Sequence, residues 1–232
     1  MFPAMQIAET FYSIQGEGLL AGVPSVFVRT SGCNLRCHWC DTDYTSWNPQ
    51  GQDLPIATIL DELAAYRCRH VVVTGGEPLV AADIVELCQG LRERGCHITV
   101  ETAATIFKPI ACDLLSLSPK LSNSTPWQRD GGRQAESHEK RRLQYRVLRQ
   151  FLDQYVYQIK FVIDQPRDLE EVQQILGKLG PIPGERVLLM PQGRSAAELH
   201  ERGLWVAALC KQHGFRYCPR LHIDLWGNTP GT

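Results

Sequence analysis

Residues 23–43 read VPSVFVRTSGCNLRCHWCDTD, and the stretch changes character in its middle. Its first part, 23–30, is rich enough in β-branched and aromatic residues to form a strand. That strand runs directly into a loop where Cys33, Cys37 and Cys40 are spaced C-x3-C-x2-C. The same change recurs down the chain. Strand 70–74 runs into TGGEP (74–78), strand 97–101 into ETAAT (101–105), strand 113–117 into SPK (118–120), and strand 186–190 into MPQG (190–193). A further strand is expected over 158–163. Helical periodicity places helices over 53–67, 81–92, 143–155, 167–179 and 195–213. Such alternation predicts an α/β fold, with a parallel sheet covered by helices. A closed eight-stranded barrel typically takes about 250 residues, so a partial (β/α)6-type barrel fits this chain better. In parallel α/β folds ligands collect beyond the carboxyl ends of the strands. Five chemistry-bearing strand ends therefore imply one shared pocket.

Composition narrows the classes. The chain has 232 residues, 44% of them apolar, and 24 basic against 25 acidic side chains. A net charge of -1 argues against a partner built of nucleic-acid phosphates or anionic lipid. Apolar runs such as 71–73 and 187–190 are far below the roughly 20 residues of a membrane span. The start, MFPAMQIAETF, lacks the basic and apolar regions of a signal peptide. Nine cysteines, an odd number, then suggest a reducing cytoplasm rather than a disulfide framework. Cys68, Cys88, Cys96, Cys112, Cys210 and Cys218 are expected as core or helix-face thiols. The whole of 1–232 reads as one domain, with a polar excursion at 121–142 expected to be a solvated loop.

Three thiolates in one short loop can converge on a metal centre. Structural zinc commonly uses paired C-x2-C knuckles, and no second knuckle is present. A zinc site using His38 and a [4Fe–4S] cluster with one open iron both remain compatible with the spacing.

The cysteine triplet, followed one strand later by GGEP, resembles the radical S-adenosylmethionine superfamily. FYSIQGEG (11–18), VRTSGC (28–33), CDT (40–42) and TGGEP (74–78) narrow the resemblance to the 7-carboxy-7-deazaguanine synthase family. The resemblance implies ring contraction of 6-carboxy-5,6,7,8-tetrahydropterin to 7-carboxy-7-deazaguanine with loss of ammonia, in queuosine and 7-deazapurine biosynthesis. It also implies a [4Fe–4S] cluster, S-adenosylmethionine reductively cleaved to a 5′-deoxyadenosyl radical, Mg2+, a flavodoxin-like external electron donor and a homodimer. No nucleic-acid or membrane partner is implied.

Carried over by position, Cys33, Cys37 and Cys40 would hold the cluster and Thr42 the magnesium, with Asp41 and Asp43 as nearby acceptors. Ile14, Gln15, Gly16, Glu17, Arg29 and Thr74 would bind substrate, Arg29 as the bidentate partner of its carboxylate. Trp39, Cys40, Asp41, Gly76, Glu77, Ser118, Pro119, Lys120 and Gln192 would bind S-adenosylmethionine. No further catalytic side chain is expected beyond the cluster and the cofactor radical. Glu101 and Lys160 could face the same pocket, although a strand lysine more often guards an edge. His222 and Trp226 read as structural, and the sequence leaves open whether the terminal stretch 226–232 contacts substrate. Two other readings compete: an activating protein for a glycyl-radical enzyme, and a non-catalytic zinc-stabilised binding module.

Overall fold

The strand that leads into the cysteine loop is the second in the chain. The computed structural model describes residues 4–232; residues 1–3, the start of the N-terminal stretch read above, lie outside the described residues. β1 (Ala4–Ile14) and β2 (Pro24–Thr30) form an antiparallel hairpin with Phe11 opposite Phe27. There follow α1 (Asp43–Ser46), β3 (Gln52–Pro55), α2 (Ile56–Ala65), β4 (His70–Gly75), α3 (Ile84–Glu93), β5 (His97–Thr102) and β6 (Leu114–Leu117). The second half contains α4 (Ala135–Arg141), α5 (Tyr145–Gln154), β7 (Tyr157–Ile163), α6 (Asp168–Leu179), β8 (Val187–Pro191), α7 (Ala196–His213), β9 (Arg216–Tyr217) and α8 (Leu221–Trp226). All nine strands form one sheet in the order β3-β1-β2-β4-β5-β6-β7-β8-β9, parallel from β2 to β9 and not closed. Among the described residues no helix is long and apolar enough to cross a membrane.

The period of two in each strand separates core from site. Val26 and Val28, Val71 and Val73, Ile98 and Val100, Leu115 and Leu117, Ile159, Phe161 and Ile163, and Val187 and Leu189 all join the main core under the helices. The alternate residues face the other way: Phe27 and Arg29, Thr74, Glu101, Ser118, Lys160 and Val162, and Met190 all border one cavity. The helices cover their side with apolar stripes, among them Ile59, Leu60 and Leu63 of α2 and Val172, Ile175 and Leu179 of α6. α7 starts with a capping box between Ser195 and Glu198 and stops at Gly214, whose φ of 67° is the left-handed conformation that glycine adopts without strain.

Two expectations need correction, and one strand has no sequence expectation at all. Residues 52–55 form β3 rather than the first turn of a helix, because their backbone pairs with residues 4–7 of β1. β1 itself went unread: its alternation, with Met5, Ile7 and Phe11 buried, is broken by a register shift between Ile7 and Glu9. The excursion at 121–142 is a solvated loop only in part: Gln128, Asp130, Arg133, Glu136 and Lys140 are exposed. Leu121, Ser124, Thr125, Ala135 and His138 are buried, and α4 lies within it.

Candidate active site

The strand ends enclose a cavity of about 390 Å3. Of the residues expected there, Ile14, Gln15, Gly16, Glu17, Arg29, Cys33, Cys37, Trp39, Cys40, Asp41, Thr42, Thr74, Gly76, Ser118 and Lys120 all line it. Glu77, Pro119 and Gln192 are not in the lining.

Glu77 is fully buried behind the wall. Its carboxylate accepts from the Leu79 N–H at 3.1 Å, the Thr102 hydroxyl at 2.7 Å and the Ala103 N–H at 2.7 Å, tying the β4 loop to the end of β5. Beside it, Gly76 has no room for a side chain: a Cβ would lie 2.4 Å from the Gly32 carbonyl oxygen and 2.7 Å from the Cys33 Cβ. That close approach sets the β4 loop directly against the cysteine loop.

One wall of the cavity is charged. Glu17 receives the Lys160 ammonium and, at 2.9 Å, the Arg220 Nε. Arg220 also donates to the Gly193 carbonyl at 2.5 Å and to the Asp41 carboxylate. Burial by itself would raise the Glu17 carboxyl, but Lys160 and Arg220 hold it well below the usual carboxylate range. Asp41 is lowered likewise, Arg220 outweighing burial. Burial would lower Lys160, yet Glu17 and Glu101 keep it raised and therefore charged. Lys160 is no edge lysine: β7 lies inside the sheet and its seven residues are all buried.

Arg29 reaches this wall from β2. Its Nε donates to Glu9 Oε1 at 2.6 Å, and the Tyr44 hydroxyl donates to the same oxygen at 2.7 Å. The guanidinium carbon sits 5.6 Å from the centre of the Phe11 ring, which stacks on Phe27. Among the described residues, the two terminal nitrogens of Arg29 make no hydrogen bond. Glu101 accepts from Thr74 Oγ1 at 3.1 Å and from Gln15 Nε2 at 3.2 Å, so the wall offers carboxylate oxygens beside an arginine fork.

The opposite wall is the cysteine loop. Burial pushes the Cys33 thiol up to about 12 and raises Cys37 and Cys40 as well, so these thiols ionise only against a metal. Donors already point at the sulfurs: Leu35 N–H lies 3.3 Å from Cys33 Sγ, and Ser46 Oγ lies 3.2 Å from Cys40 Sγ. A single zinc ion needs its donors within about 2.0–2.3 Å of one point. Among the described residues no three His, Cys, Asp or Glu side chains converge in that way. His38 is exposed and outside the lining. Three sulfurs facing one cavity without a fourth donor, two of them, Cys33 and Cys40, beside the protein's own N–H or O–H groups, fit a [4Fe–4S] cluster and not a lone zinc.

Thr42 lies between Asp41, paired with Arg220, and Asp43, paired with Arg129 at 2.7 Å. The Thr42 hydroxyl between them accepts from Thr45 Oγ1 at 3.4 Å and lies 3.7 Å from Cys40 Sγ.

Comparison with known proteins sorts among the remaining readings. Residues 27–120 match the model of the Radical SAM superfamily. A 7-carboxy-7-deazaguanine synthase of Halobacterium salinarum is 46% identical over 99% of this chain and 93% of its own length. The chain belongs to the 7-carboxy-7-deazaguanine synthase family. A second member, from Rhodopirellula baltica, is 45% identical over 99% of this chain and 89% of its own. The crystal structure of QueE from Escherichia coli shares the fold, with a TM-score of 0.68 and 24% identity over 93% of each chain. The chain is accordingly a radical S-adenosylmethionine enzyme of this family, which implies S-adenosylmethionine and a [4Fe–4S] cluster as its cofactors.

Several residues of the site were not legible beforehand. Tyr44 and Arg220, which line the cavity, and Glu9, which holds Arg29 from outside the lining, carry no local motif, since only the fold brings them to the site. His222, read as structural, lines the cavity and packs over Gly16, where a Cβ would meet its ring. Trp226 is 45% exposed, whereas residues 228–232 border the cavity, a placement the sequence had left open. Lys160 did leave a signal: one cation inside the otherwise apolar strand YQIKFVI.

Proposed function

We propose that this chain contracts 6-carboxy-5,6,7,8-tetrahydropterin to 7-carboxy-7-deazaguanine with loss of ammonia, using the side chains described above in the following roles. The observation that carries this assignment is Arg29, anchored through its Nε by Glu9 with its terminal N–H pair left unpaired at a cavity shared with three cysteines. That fork matches a carboxylate in two parallel hydrogen bonds. Gln15, Glu17 and Glu101 offer the amide and carboxylate oxygens that suit the donor-rich aminopyrimidinone edge of the pterin. Thr74 orients Glu101, and Ile14 and Gly16 complete that rim.

On the other wall, Cys33, Cys37 and Cys40 hold the cluster. Trp39, Asp41, Gly76, Ser118 and Lys120 border the place for S-adenosylmethionine; Glu77, Pro119 and Gln192 support it from behind. When bound, cluster and cofactor together supply a 5′-deoxyadenosyl radical. The protein's part is to fix the substrate's C6–H toward that wall and to keep water away. Thr42 holds Mg2+ weakly, with water and substrate oxygens completing the octahedron. The reading extends to an external flavodoxin-like electron donor, a homodimer, a cytoplasmic setting and one domain over 1–232 with 121–142 as part of it.

The test is an anaerobic incubation of the iron-loaded protein with reductant, S-adenosylmethionine and the carboxypterin. Mass analysis is expected to find 7-carboxy-7-deazaguanine and ammonia. Cofactor cleavage without that product would contradict the assignment.

A further inference from the structure

The stretch 121–142 lies against the cysteine loop along its length. The Ser122–Ser124 turn accepts the His38 N–H on the Ser124 carbonyl at 2.8 Å and the Trp39 indole N–H on the Asn123 carbonyl at 3.1 Å. Arg129 donates to the His38 carbonyl at 3.0 Å and to Asp43, and its guanidinium lies 4.0 Å from the centre of the Trp47 ring.

At the centre of this contact is His138 of α4, only 1% exposed. Its Nδ1 lies 3.0 Å from the backbone N of Arg36, and its Nε2 lies 2.9 Å from Ser124 Oγ. Ser124 Oγ in turn lies 2.6 Å from the Leu121 carbonyl oxygen. Only one arrangement of protons satisfies the chain. The Arg36 N–H can only donate, so Nδ1 accepts. The single hydroxyl hydrogen of Ser124 goes to the carbonyl, so its oxygen accepts from Nε2–H. The ring is therefore neutral, in one tautomer, with both nitrogens engaged. It joins the segment between Cys33 and Cys37 to the residue that follows the 118–120 turn.

We propose that His138 is a positioning residue for the cluster, fixing the segment between Cys33 and Cys37 against the 118–120 turn through the relay Arg36 N–H, His138, Ser124 and Leu121. The inference rests on the reading that Cys33, Cys37 and Cys40 carry a [4Fe–4S] cluster. It gives 121–142 a purpose: the excursion is a brace on the cluster loop. The same relay holds the two halves of the cofactor site in register, because one end reaches the cysteines and the other the 118–120 turn.

The test compares the parent holoprotein with His138→Phe, which fills the space without an acceptor, and His138→Asn, whose Oδ1 can still accept the Arg36 N–H. Three quantities are read under anaerobic conditions: the rate at which a chelator bleaches the cluster, the S-adenosylmethionine affinity, and the change that S-adenosylmethionine makes in the electron paramagnetic resonance signal of the reduced cluster. Loss of a partner that orients metal ligands typically costs 10–100-fold in metal affinity. His138→Phe is therefore expected to bleach on the order of tenfold faster, to bind the cofactor more weakly and to show an altered cofactor-induced signal, with His138→Asn restoring most of each. Should His138→Phe fail to fold, Ser124→Ala removes the partner that fixes the tautomer and is expected to move the same three quantities in the same direction. Parent-like values in the variant that folds, or no recovery in His138→Asn, would overturn the brace. A parent protein that takes up no such cluster would instead overturn the functional reading on which the brace rests.

Discussion

The two walls of the cavity are held in place by different means. The substrate wall is a net of formal charges, in which Glu17, Lys160 and Arg220 are largely buried and mutually paired, with the half-buried Asp41 of the cysteine loop joined to it through Arg220. The cluster wall adds a neutral relay to its charged contacts: backbone amides, the Trp39 indole, Ser124 and His138 stand beside the Arg129–Asp43 pair. A buried charge net fixes side chains firmly, but it punishes the loss of any single member, because the partner is left charged in a poor solvent. A neutral relay is more forgiving, and it depends on one protonation state. The substrate wall must also present charge to a charged ligand, whereas the cluster wall must hold sulfurs that become charged only when metal arrives.

The comparison breaks most severely at the cysteines. Alanine at Cys33, Cys37 or Cys40 is expected to abolish iron loading and cofactor cleavage outright, as read from iron content and from 5′-deoxyadenosine release. If Cys68 or Cys96 proved equally necessary for iron, the three-cysteine assignment would fail. Next comes the charged wall. Arg220→Met leaves both Glu17 and Asp41 without their shared cation, and breaking a buried pair in this way costs about 3–5 kcal/mol. Denaturant unfolding of this variant should show that loss. A change below about 1 kcal/mol, the range of an exposed pair, would mean that the net carries little.

Arg29→Lys follows. Lysine keeps the charge but lacks the planar fork, and a misplacement of about 1 Å can cost on the order of a hundredfold in rate. The variant is expected to keep cluster and cofactor, bind the carboxypterin poorly and release 5′-deoxyadenosine without product. An unchanged ratio of product to 5′-deoxyadenosine would move the carboxylate elsewhere, with Lys160 or Lys120 as the next candidates. Thr42→Ala should act more mildly, lowering turnover and its response to magnesium while sparing cofactor binding. Equal magnesium response in variant and parent would remove Thr42 from the metal.

The smallest effect separates the walls by pH. Burial, the main cause, lowers the His138 imidazole from 6.5 to about 4, so the unfolded chain takes up a proton that the folded one refuses. Its contribution is complete above 6.5 and is lost as pH falls toward 4. Glu17 and Asp41, held below the carboxylate range, keep their contribution above the unfolded carboxylate value and lose it only at lower pH. Unfolding free energy should therefore begin to fall at mildly acid pH in the parent and less so in His138→Asn. Parallel profiles would show that the ring is not held neutral.

How much of this was legible follows from locality. A strand and the loop that follows it are neighbours in sequence, so the cysteine triplet, TGGEP and SPK could be read directly from it, whereas QGEG, at the end of β1, was legible only through the family resemblance. The partners that hold these motifs come from elsewhere. Arg220 reaches Glu17 across 203 residues, and Lys160 reaches it across 143. Position 9 looks like one acid among many until β1 pairs with β2 and sets it opposite Arg29. The stretch 121–142 misled for a physical reason: some of its polar residues, Ser124, Thr125 and His138, are buried, while Gln128, Asp130, Arg133, Glu136 and Lys140 face water, and composition does not tell the two sets apart. Likewise, the strand at 52–55 exists only through pairing with β1, and no local periodicity announces it.

The central claim is that the arginine fork and the cysteine wall face one another across a single cavity and act on one substrate molecule. Carboxypterin carrying deuterium at C6, incubated anaerobically with the iron-loaded parent protein, reductant and S-adenosylmethionine, tests this most directly. Deuterium is expected in the recovered 5′-deoxyadenosine, together with 7-carboxy-7-deazaguanine and ammonia. Product formation with no deuterium in the 5′-deoxyadenosine, or cofactor cleavage with no product, would contradict it.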